Sequence, residues 1–266
     1  MPPVSEVTMA IQFPDLPLQS ADVGGLWHEY SDRLPIAEDR PPVPPQRETF
    51  ASLFPIGIQV QILNAPPLPM AAFLAADRTS LVQVQRSRFE CAWRQGDSNH
   101  PYPRYGELRE QYLSNARLFV EFCERRGWPD IPVQQAEILY LNDLPLADGY
   151  PLSSPERVFS FWKNSAELPG LPPLDSLRFS QSYTLQSEDE IPYARLHIAA
   201  EPVVSEKGPC LRVALTFRGE PFVGIGPGDD PQSAIMRFMD EGHVRIVRAF
   251  AAVTTPEMHE RWGRLK

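Results

Sequence analysis

Arginine and histidine side chains recur on one predicted side of the last three strands of this sequence. Residues 177–185, 193–200 and 211–217 alternate apolar and polar side chains, which predicts β-strands with one buried and one solvent-facing side. The cationic side chains that we place on the solvent-facing side are Arg178, Arg195, His197, Arg212 and Arg218. Because a guanidinium group forms paired hydrogen bonds with carboxylate or phosphate oxygens, this pattern predicts a surface that binds an anion. Arginines that pair with neighbouring acidic residues on an ordinary solvated sheet would produce the same pattern.

The matching side of the strands in the first half carries mainly amides. Leu81 to Arg94 reads as two alternating segments joined at Arg86-Ser87, which predicts an antiparallel hairpin with one apolar and one polar side. The residues of this hairpin that we assign to the binding surface are Gln83, Gln85 and Arg94, beside Glu90, and a strand near 56–63 would add Gln59 and Gln61. A polar, locally basic sheet is unusual in a chain whose formal net charge is -9. We therefore interpret this side as a candidate site for nucleic acid or for an acidic protein partner.

No motif in the sequence indicates a catalytic or metal-binding centre. The five histidines lack metal-ligand spacing, and there is no HExxH, Cys-x-x-Cys, GxSxG or phosphate-binding lysine motif. The three cysteines each lie within an apolar pattern and are predicted to be buried free thiols. Asp240, Glu241 and His243 are interpreted as a solvated helix surface. We predict no catalytic residue, no metal and no cofactor, while an enzyme stays an open alternative.

Two short segments near the C-terminus could hold a ligand or a partner. The glycine-rich FVGIGPGDDPQ precedes a predicted helix, but Asp229 and Asp230 occupy the position that an anion would need. We interpret it as a turn that ends in an Asp cap. The segment TTPEMHERWGR predicts a short tail helix with Met258 and Trp262 on one side. These two side chains either pin the tail to the core or dock a protein partner, with Trp262 as the anchor.

The predicted order of elements repeats in the second half of the chain. Residues 1–130 are predicted as strand, helix, proline-rich loop, three or four strands and long helix, and residues 131–266 repeat that order and add the tail helix. The predicted strands are 4–13, 56–63, 70–76, the hairpin, 136–142, 177–185, 193–200 and 211–217. The predicted helices are 20–34, 104–126, one beginning at Ser154, and 230–253. The proline-rich loops are 33–50 and 168–173. We expect an α+β fold, a duplicated β-α-β(3-4)-α unit whose antiparallel sheet carries its helices on one face. The TATA-binding-protein-like saddle is a fold analogy for it and implies no function.

Several segments of the chain resemble one family. They are SEVTMAIQF at 5–13, LVQVQRSRF followed by WR at 81–94, YPRY at 102–105, ILYLN at 138–142, and VRAFAAVTTPEMHERWGR at 247–264. The chain resembles a family of sporadically distributed, functionally uncharacterised bacterial proteins of similar length. The resemblance implies a bacterial origin and a single family over most of the chain, and the sporadic distribution suggests a defence or accessory locus. It implies no catalytic residue.

Composition and charge favour a cytoplasmic protein that does not enter a membrane. The sequence has no run of about 18 apolar residues and no secretory signal pattern at its start. We expect a non-catalytic binding protein that uses the open sheet face to hold an anionic macromolecule or a protein partner. One alternative is an acidic, antitoxin-like neutralising protein that acts through its acidic helix side and its tail. Another is a small-molecule-binding or hydrolytic domain with a pocket between sheet and helices.

Overall fold

The computed structural model describes residues 2–50, 68–96, 100–128, 131–146, 154–162, 174, 176–205, 207–224 and 230–263. This part of the chain contains nine strands and four α-helices. The strands are β1 (Val4–Gln12), β2 (Ile36–Arg40), β3 (Met70–Leu74), β4 (Ser80–Gln85), β5 (Arg88–Arg94), β6 (Gln135–Pro145), β7 (Phe179–Gln186), β8 (Pro192–Ser205) and β9 (Gly208–Gly219). The helices are α1 (Ser20–Tyr30), α2 (Tyr105–Arg125), α3 (Pro231–Val253) and α4 (Pro256–Arg261). All nine strands join one antiparallel sheet in the order β2-β3-β4-β5-β1-β6-β9-β8-β7. The chain therefore has the predicted α+β architecture.

The long helices pack on one side of the sheet because their apolar stripes meet the apolar side of the strands. Phe119 of α2 stacks on Phe89 of β5, with ring centroids 4.8 Å apart. The rings of Phe238 in α3 and Phe217 in β9 have centroids 4.7 Å apart. Gly242 of α3 faces the same ring, and a β-carbon at this position would lie 2.7 Å from Phe217. The missing side chain of Gly242 thus allows α3 to approach the sheet closely.

Most predicted elements are present, with ends shifted by a few residues. The predicted hairpin is formed by β4 and β5, which pair from Ser80–Trp93 to Gln85–Arg88. Helix α3 begins directly after Asp230, whose carboxylate accepts a hydrogen bond from the N–H of Ser233 at 2.8 Å. Helix α1 ends at Tyr30, earlier than predicted, and its N-cap is Gln19.

Two predictions between the strands are wrong. The helix predicted to begin at Ser154 is only a 3-10 turn, Pro155–Arg157. The described chain then turns away from helical geometry, because Phe159 forms a β-bridge with Thr254 at the end of α3. The loop predicted over 33–50 contains an additional strand, β2, which pairs with β3 at the edge of the sheet. Among the described strands β2 has a neighbour on one side only, and such an edge position suits the prolines that follow it.

Three predictions concern residues that lie wholly or partly outside the described ranges. These are the strand near 56–63 with Gln59 and Gln61, the proline loop at 168–173, and the glycine-rich turn, of which 225–229 are outside.

Strands β1 and β6 lie side by side in the middle of the sheet, with Met9 opposite Ile138. Outward from β1 the order is β5, β4, β3 and β2, and outward from β6 it is β9, β8 and β7. Because the sheet continues across this junction, side chains from both parts of the chain share each of its two faces.

Candidate ligand-binding face

Charged and amide side chains cover much of the side of the sheet opposite to the helices, which we call the polar face. Its members include Gln12, Gln83, Gln85, Arg88, Glu90, Arg94, Gln135, Glu137, Arg195, His197, Arg212 and Arg218. Strand register places Arg195 of β8 directly opposite Arg218 of β9. Like charges that face each other across two strands are destabilising, so this pair requires an acidic counter-ion.

Acidic side chains of the strands neutralise the centre of the polar face. Arg88 donates to Glu90 at 2.6 Å and to Glu137 at 2.8 Å, and Glu137 also accepts a hydrogen bond from Arg218. The side chains of Arg88, Glu90 and Glu137 are 8%, 8% and 6% exposed. Burial acts to raise the pKa of Glu137, but the charges of Arg218 and Arg88 outweigh burial and lower this pKa. Pairing of arginines with neighbouring acids, the alternative that the sequence leaves open, is therefore present at the centre of this face.

Residues 41–50, which we call the proline segment, cross the polar face and bind three of its glutamines through backbone atoms, two of them by paired hydrogen bonds. The carboxamide of Gln85 accepts a hydrogen bond from the N–H of Val43 at 2.9 Å and donates to the carbonyl of Val43 at 2.8 Å. Gln12 forms the same pair of hydrogen bonds with Gln46, at 2.9 Å and 3.0 Å. These glutamines belong to β4 and β1, so the proline segment runs across the strands.

The prolines of this segment determine which of its residues can donate to the sheet. Proline has no N–H, and between positions 41 and 48 the prolines are Pro41, Pro42, Pro44 and Pro45. The other four residues in that range keep a backbone donor, and three of them bind glutamines of the sheet. The third such contact joins the N–H of Glu48 to Gln135 of β6 at 3.2 Å. The pattern of prolines therefore matches the pattern of amides beneath it.

Glu48 places a carboxylate among the cations that the second half contributes to the polar face. This carboxylate accepts hydrogen bonds from His197 at 2.6 Å, Arg195 at 3.3 Å and Arg218 at 3.4 Å, and the side chain is 5% exposed. The ring of Phe50 packs against the guanidinium of Arg195, 5.3 Å from ring centroid to carbon. Burial acts to raise the pKa of Glu48, but the hydrogen bond from His197 and the charges of the three cations outweigh burial and lower the pKa. Glu48 is thus the counter-ion that the facing arginines require.

The remaining predicted binding residues lie on or beside the polar face but outside this cluster. Three of them form ion pairs with nearby acids, Arg94 with Glu6 at 2.8 Å, Arg178 with Glu201 at 3.3 Å, and Arg212 with Asp143 at 2.8 Å. Gln83 accepts a hydrogen bond from Arg40 at 2.6 Å and donates to Glu90. The structure therefore brings Arg195, His197 and Arg218 together around one carboxylate and distributes the other predicted residues among local pairs.

Sequence reasoning missed the residues that organise this site. The sequence pattern predicts a proline-rich loop at Glu48 and indicates no role for Arg88 or Glu137. The side on which Gln12 and Gln135 lie could have been predicted from the sequence, because each glutamine lies on a strand whose residues are apolar at alternate positions. No local pattern indicates the role of Glu48, because its partners are far away in the sequence. His197, for example, is 149 residues from Glu48.

Asp240, Glu241 and His243 lie on a partly solvated side of α3, and they also contact neighbouring elements, which the sequence did not predict. Asp240 accepts a hydrogen bond from the hydroxyl of Tyr105 at 2.7 Å, and Glu241 accepts one from a tyrosine of β8 at 2.7 Å. His243 stacks on Tyr105 with ring centroids 4.0 Å apart and lies 2.8 Å from the hydroxyl of Tyr140. Burial lowers the pKa of His243, which favours its neutral form. These residues join α3 to α2, β6 and β8.

The tail helix packs into the core through the two side chains that the sequence singled out. Met258 is 2% exposed and Trp262 is 8% exposed. The Trp262 ring stacks on Phe250 of α3 with centroids 5.1 Å apart. This arrangement matches the first of our two interpretations of the tail, in which Trp262 is pinned to the core. It leaves the partner-docking interpretation without an exposed aromatic anchor.

Other site classes receive no support from the described residues. In those ranges no group of three or more His, Cys, Asp or Glu side chains is arranged to hold a metal ion. Cys123 and Cys210 are buried and Cys91 is half-buried, all as free thiols, and burial raises the pKa of each. None of the helices described combines the length and the apolar character that a membrane span needs.

A comparison with known family models and with curated proteins finds no match to this chain.

Proposed function

We propose that this chain is a non-catalytic binding protein whose polar face holds an acidic protein partner. The observation that carries the proposal is the convergence of Arg195, His197 and Arg218 on one carboxylate. That carboxylate belongs to Glu48 in a connecting segment, whereas all three cations belong to the sheet. The sheet by itself therefore presents a receptor for an anionic group, and Glu48 is its occupant within the chain.

The charge balance of this cluster favours a single carboxylate over a polyanion. The linked ion pairs of the sheet contain the arginines Arg88, Arg195 and Arg218 and the glutamates Glu90 and Glu137. Without Glu48, the three arginines would therefore face two negative charges, which leaves an excess of one positive charge beside His197. A nucleic acid presents a row of phosphates, and its binding depends on several cations that are available to them. The other predicted arginines of this face are already paired with acids, so an acidic protein side chain fits the surface better.

Strand order supports the further proposal that residues 1–130 and 131–266 are copies of one unit. Outward from β1 the strands β5, β4 and β3 follow, and outward from β6 the strands β9, β8 and β7 follow. A long helix comes after β5 in one half and after β9 in the other. Under this proposal the polar face corresponds to the helix-free surface of the saddle analogy. The expectation that this surface is open is wrong at its centre, because residues 41–50 cover it. The first half contributes mainly glutamines to it and the second half mainly cations.

The two alternative functions have weaker support in the described residues. An antitoxin-like role through the tail would need Trp262 at the surface, but this side chain is buried. A small-molecule site between sheet and helices would need a pocket of several hundred Å³. The cavity that Val7, Met9 and Trp93 help to line in this layer measures about 30 Å³, which is room for about one water molecule.

The proposal is tested by measuring the binding of a labelled oligoglutamate to the full chain by fluorescence anisotropy. A Glu48→Ala variant lacks the carboxylate that binds the three cations of the sheet. It should bind oligoglutamate at least tenfold more tightly than a triple variant that also carries Arg195→Gln and Arg218→Gln. A tenfold loss corresponds to about 1.4 kcal/mol, a modest expectation for two charged hydrogen-bond donors. Arg245→Gln, on the exposed side of α3, is the matched control and should change nothing.

The same assay with single- and double-stranded oligonucleotides distinguishes the two anionic partners. We expect weaker binding of either oligonucleotide than of oligoglutamate at equal ionic strength. Binding of oligonucleotides that is tighter and that falls with the arginine substitutions would replace the acidic protein partner by a nucleic acid. Failure of the folded Glu48→Ala variant to bind any of the three probes would remove the binding proposal itself.

A further inference from the structure

The proline segment lies on the polar face as a peptide ligand would, which allows the ligand class to be specified. Resting on the proposed function, we infer that the partner presents an extended, proline-containing segment with a glutamate, and that residues 41–50 are an internal copy of this ligand. The partner segment binds after it displaces the internal copy.

Recognition at the first two positions depends on the backbone and not on side-chain identity. Gln85 and Gln12 each use both ends of a carboxamide to bind the N–H and the carbonyl of a single residue, Val43 and Gln46 respectively. A carboxamide that binds in this way accepts any residue with an N–H, and it excludes proline. The ligand therefore needs non-proline residues three positions apart, while prolines between them are tolerated and favour the extended backbone.

Recognition at the third position depends on a carboxylate. Glu48 follows the second backbone contact by two residues, and it is the buried member of the proline segment, with its carboxylate at the three cations. A glutamine at this position would keep a similar shape but would lose the charge that the cations of the sheet require. The ligand therefore carries an acidic side chain five residues after the first backbone contact.

The internal segment is held in a way that a competitor can replace. Its side chains apart from Glu48 are exposed or half-buried, so little apolar surface would return to water on its release. A cleft of about 170 Å³ lies beside the segment, lined in part by Pro45, Arg47 and Gln134. Because the segment is tethered, it competes with an effective concentration on the order of millimolar. An external ligand can displace it if additional contacts give that ligand a higher affinity for the polar face.

The test uses a labelled peptide with the sequence of residues 40–50, RPPVPPQRETF, and the full chain. The Glu48→Ala variant, whose internal copy is weakened, should bind this peptide at least tenfold more tightly than the unchanged protein does. Two altered peptides should each bind at least tenfold more weakly than the original: one with glutamine in place of the glutamate, and one with proline in place of the valine. The first alteration removes the carboxylate, and the second removes the N–H that donates a hydrogen bond to Gln85.

Circular dichroism and thermal unfolding of Glu48→Ala establish that the variant is folded before binding is interpreted. Because the double substitution Gln12→Ala and Gln85→Ala, added to Glu48→Ala, removes the carboxamides that bind the ligand backbone, it should lower the affinity for the peptide but not for oligoglutamate. If folded Glu48→Ala binds oligoglutamate but not the peptide, or binds the altered peptides equally well, the ligand class is wrong and the proposed function survives. If it binds neither, both proposals fail.

Discussion

Arginines on the two parts of the polar face have the same chemistry but very different surroundings. In the centre, Arg88 and Arg218 are 8% and 15% exposed and share the buried carboxylate of Glu137. Near the outer edge, Arg178 is 74% exposed and pairs with Glu201, which is itself 49% exposed. A buried ion pair leaves an uncompensated charge when one partner is removed, whereas water solvates the survivor of an exposed pair. Burial, and not the number of arginines, therefore identifies the part of this face in which each charge depends on a specific partner.

The largest difference between the two parts should appear when each loses its acid. Glu137→Gln removes the charge that Arg88 and Arg218 share, and we expect the free energy of unfolding to fall by about 3–5 kcal/mol. The matched substitution at the exposed pair, Glu201→Gln, should change it by less than about 0.5 kcal/mol. Urea unfolding of both variants measures the difference. Equal effects at the two positions would mean that the central network is not buried as described.

A smaller effect, with a defined pH dependence, is expected at Glu48. Its pKa is lower in the folded protein than the ordinary carboxyl value of about 4.3, so its stabilising contribution is present above that value and is lost as the pH falls through the folded pKa. At about pH 6, Glu48→Gln should therefore reduce the free energy of unfolding by about 1–3 kcal/mol. At about pH 3 the two proteins should differ less, because the unchanged protein has lost part of the same interaction.

The measurement is urea unfolding of both proteins across this pH range. A difference that stays constant with pH would show that Glu48 contributes through packing and not through its charge.

An intermediate position on the face should give the smallest resolvable effect. Arg212 forms two hydrogen bonds with Asp143, both 2.8 Å long, and is 31% exposed. We expect Arg212→Gln to reduce the free energy of unfolding by about 1 kcal/mol and Arg178→Gln to change it by less than about 0.5 kcal/mol. Neither substitution should weaken the binding of the proline-containing peptide. A loss of peptide binding with either variant would extend the receptor to the outer part of the face.

Local patterns predicted most of the sheet but not the composition of the site. Period-two alternation located the hairpin of β4 and β5 and the three strands that carry Arg195, Arg212 and Arg218, and it assigned these cations to the correct side of the sheet. It could not predict their partners, because the pairing of Glu137 with Arg218 depends on β6 lying beside β9. Strand order is a property of the whole fold, and alternation within one strand carries no information about it.

The proline segment shows a second limit of sequence reasoning. A run of prolines excludes helix and central strand, and from that exclusion we inferred a plain loop. The exclusion says nothing about what the remaining N–H groups bind. Those groups meet Gln12, Gln85 and Gln135, which come from three different strands. Glu48 likewise meets cations that lie in the other half of the chain.

Amide hydrogen exchange at Val43, Gln46 and Glu48 tests most directly whether the proline segment occupies a receptor on the polar face. We expect the three amides to be protected in the unchanged protein, because each donates to a glutamine of the sheet. In Glu48→Gln their protection should fall together, while the amides of β4 and β5 stay protected. If the three amides exchange freely in the unchanged protein, or keep their full protection in Glu48→Gln, the carboxylate of Glu48 does not hold the segment and the account is contradicted.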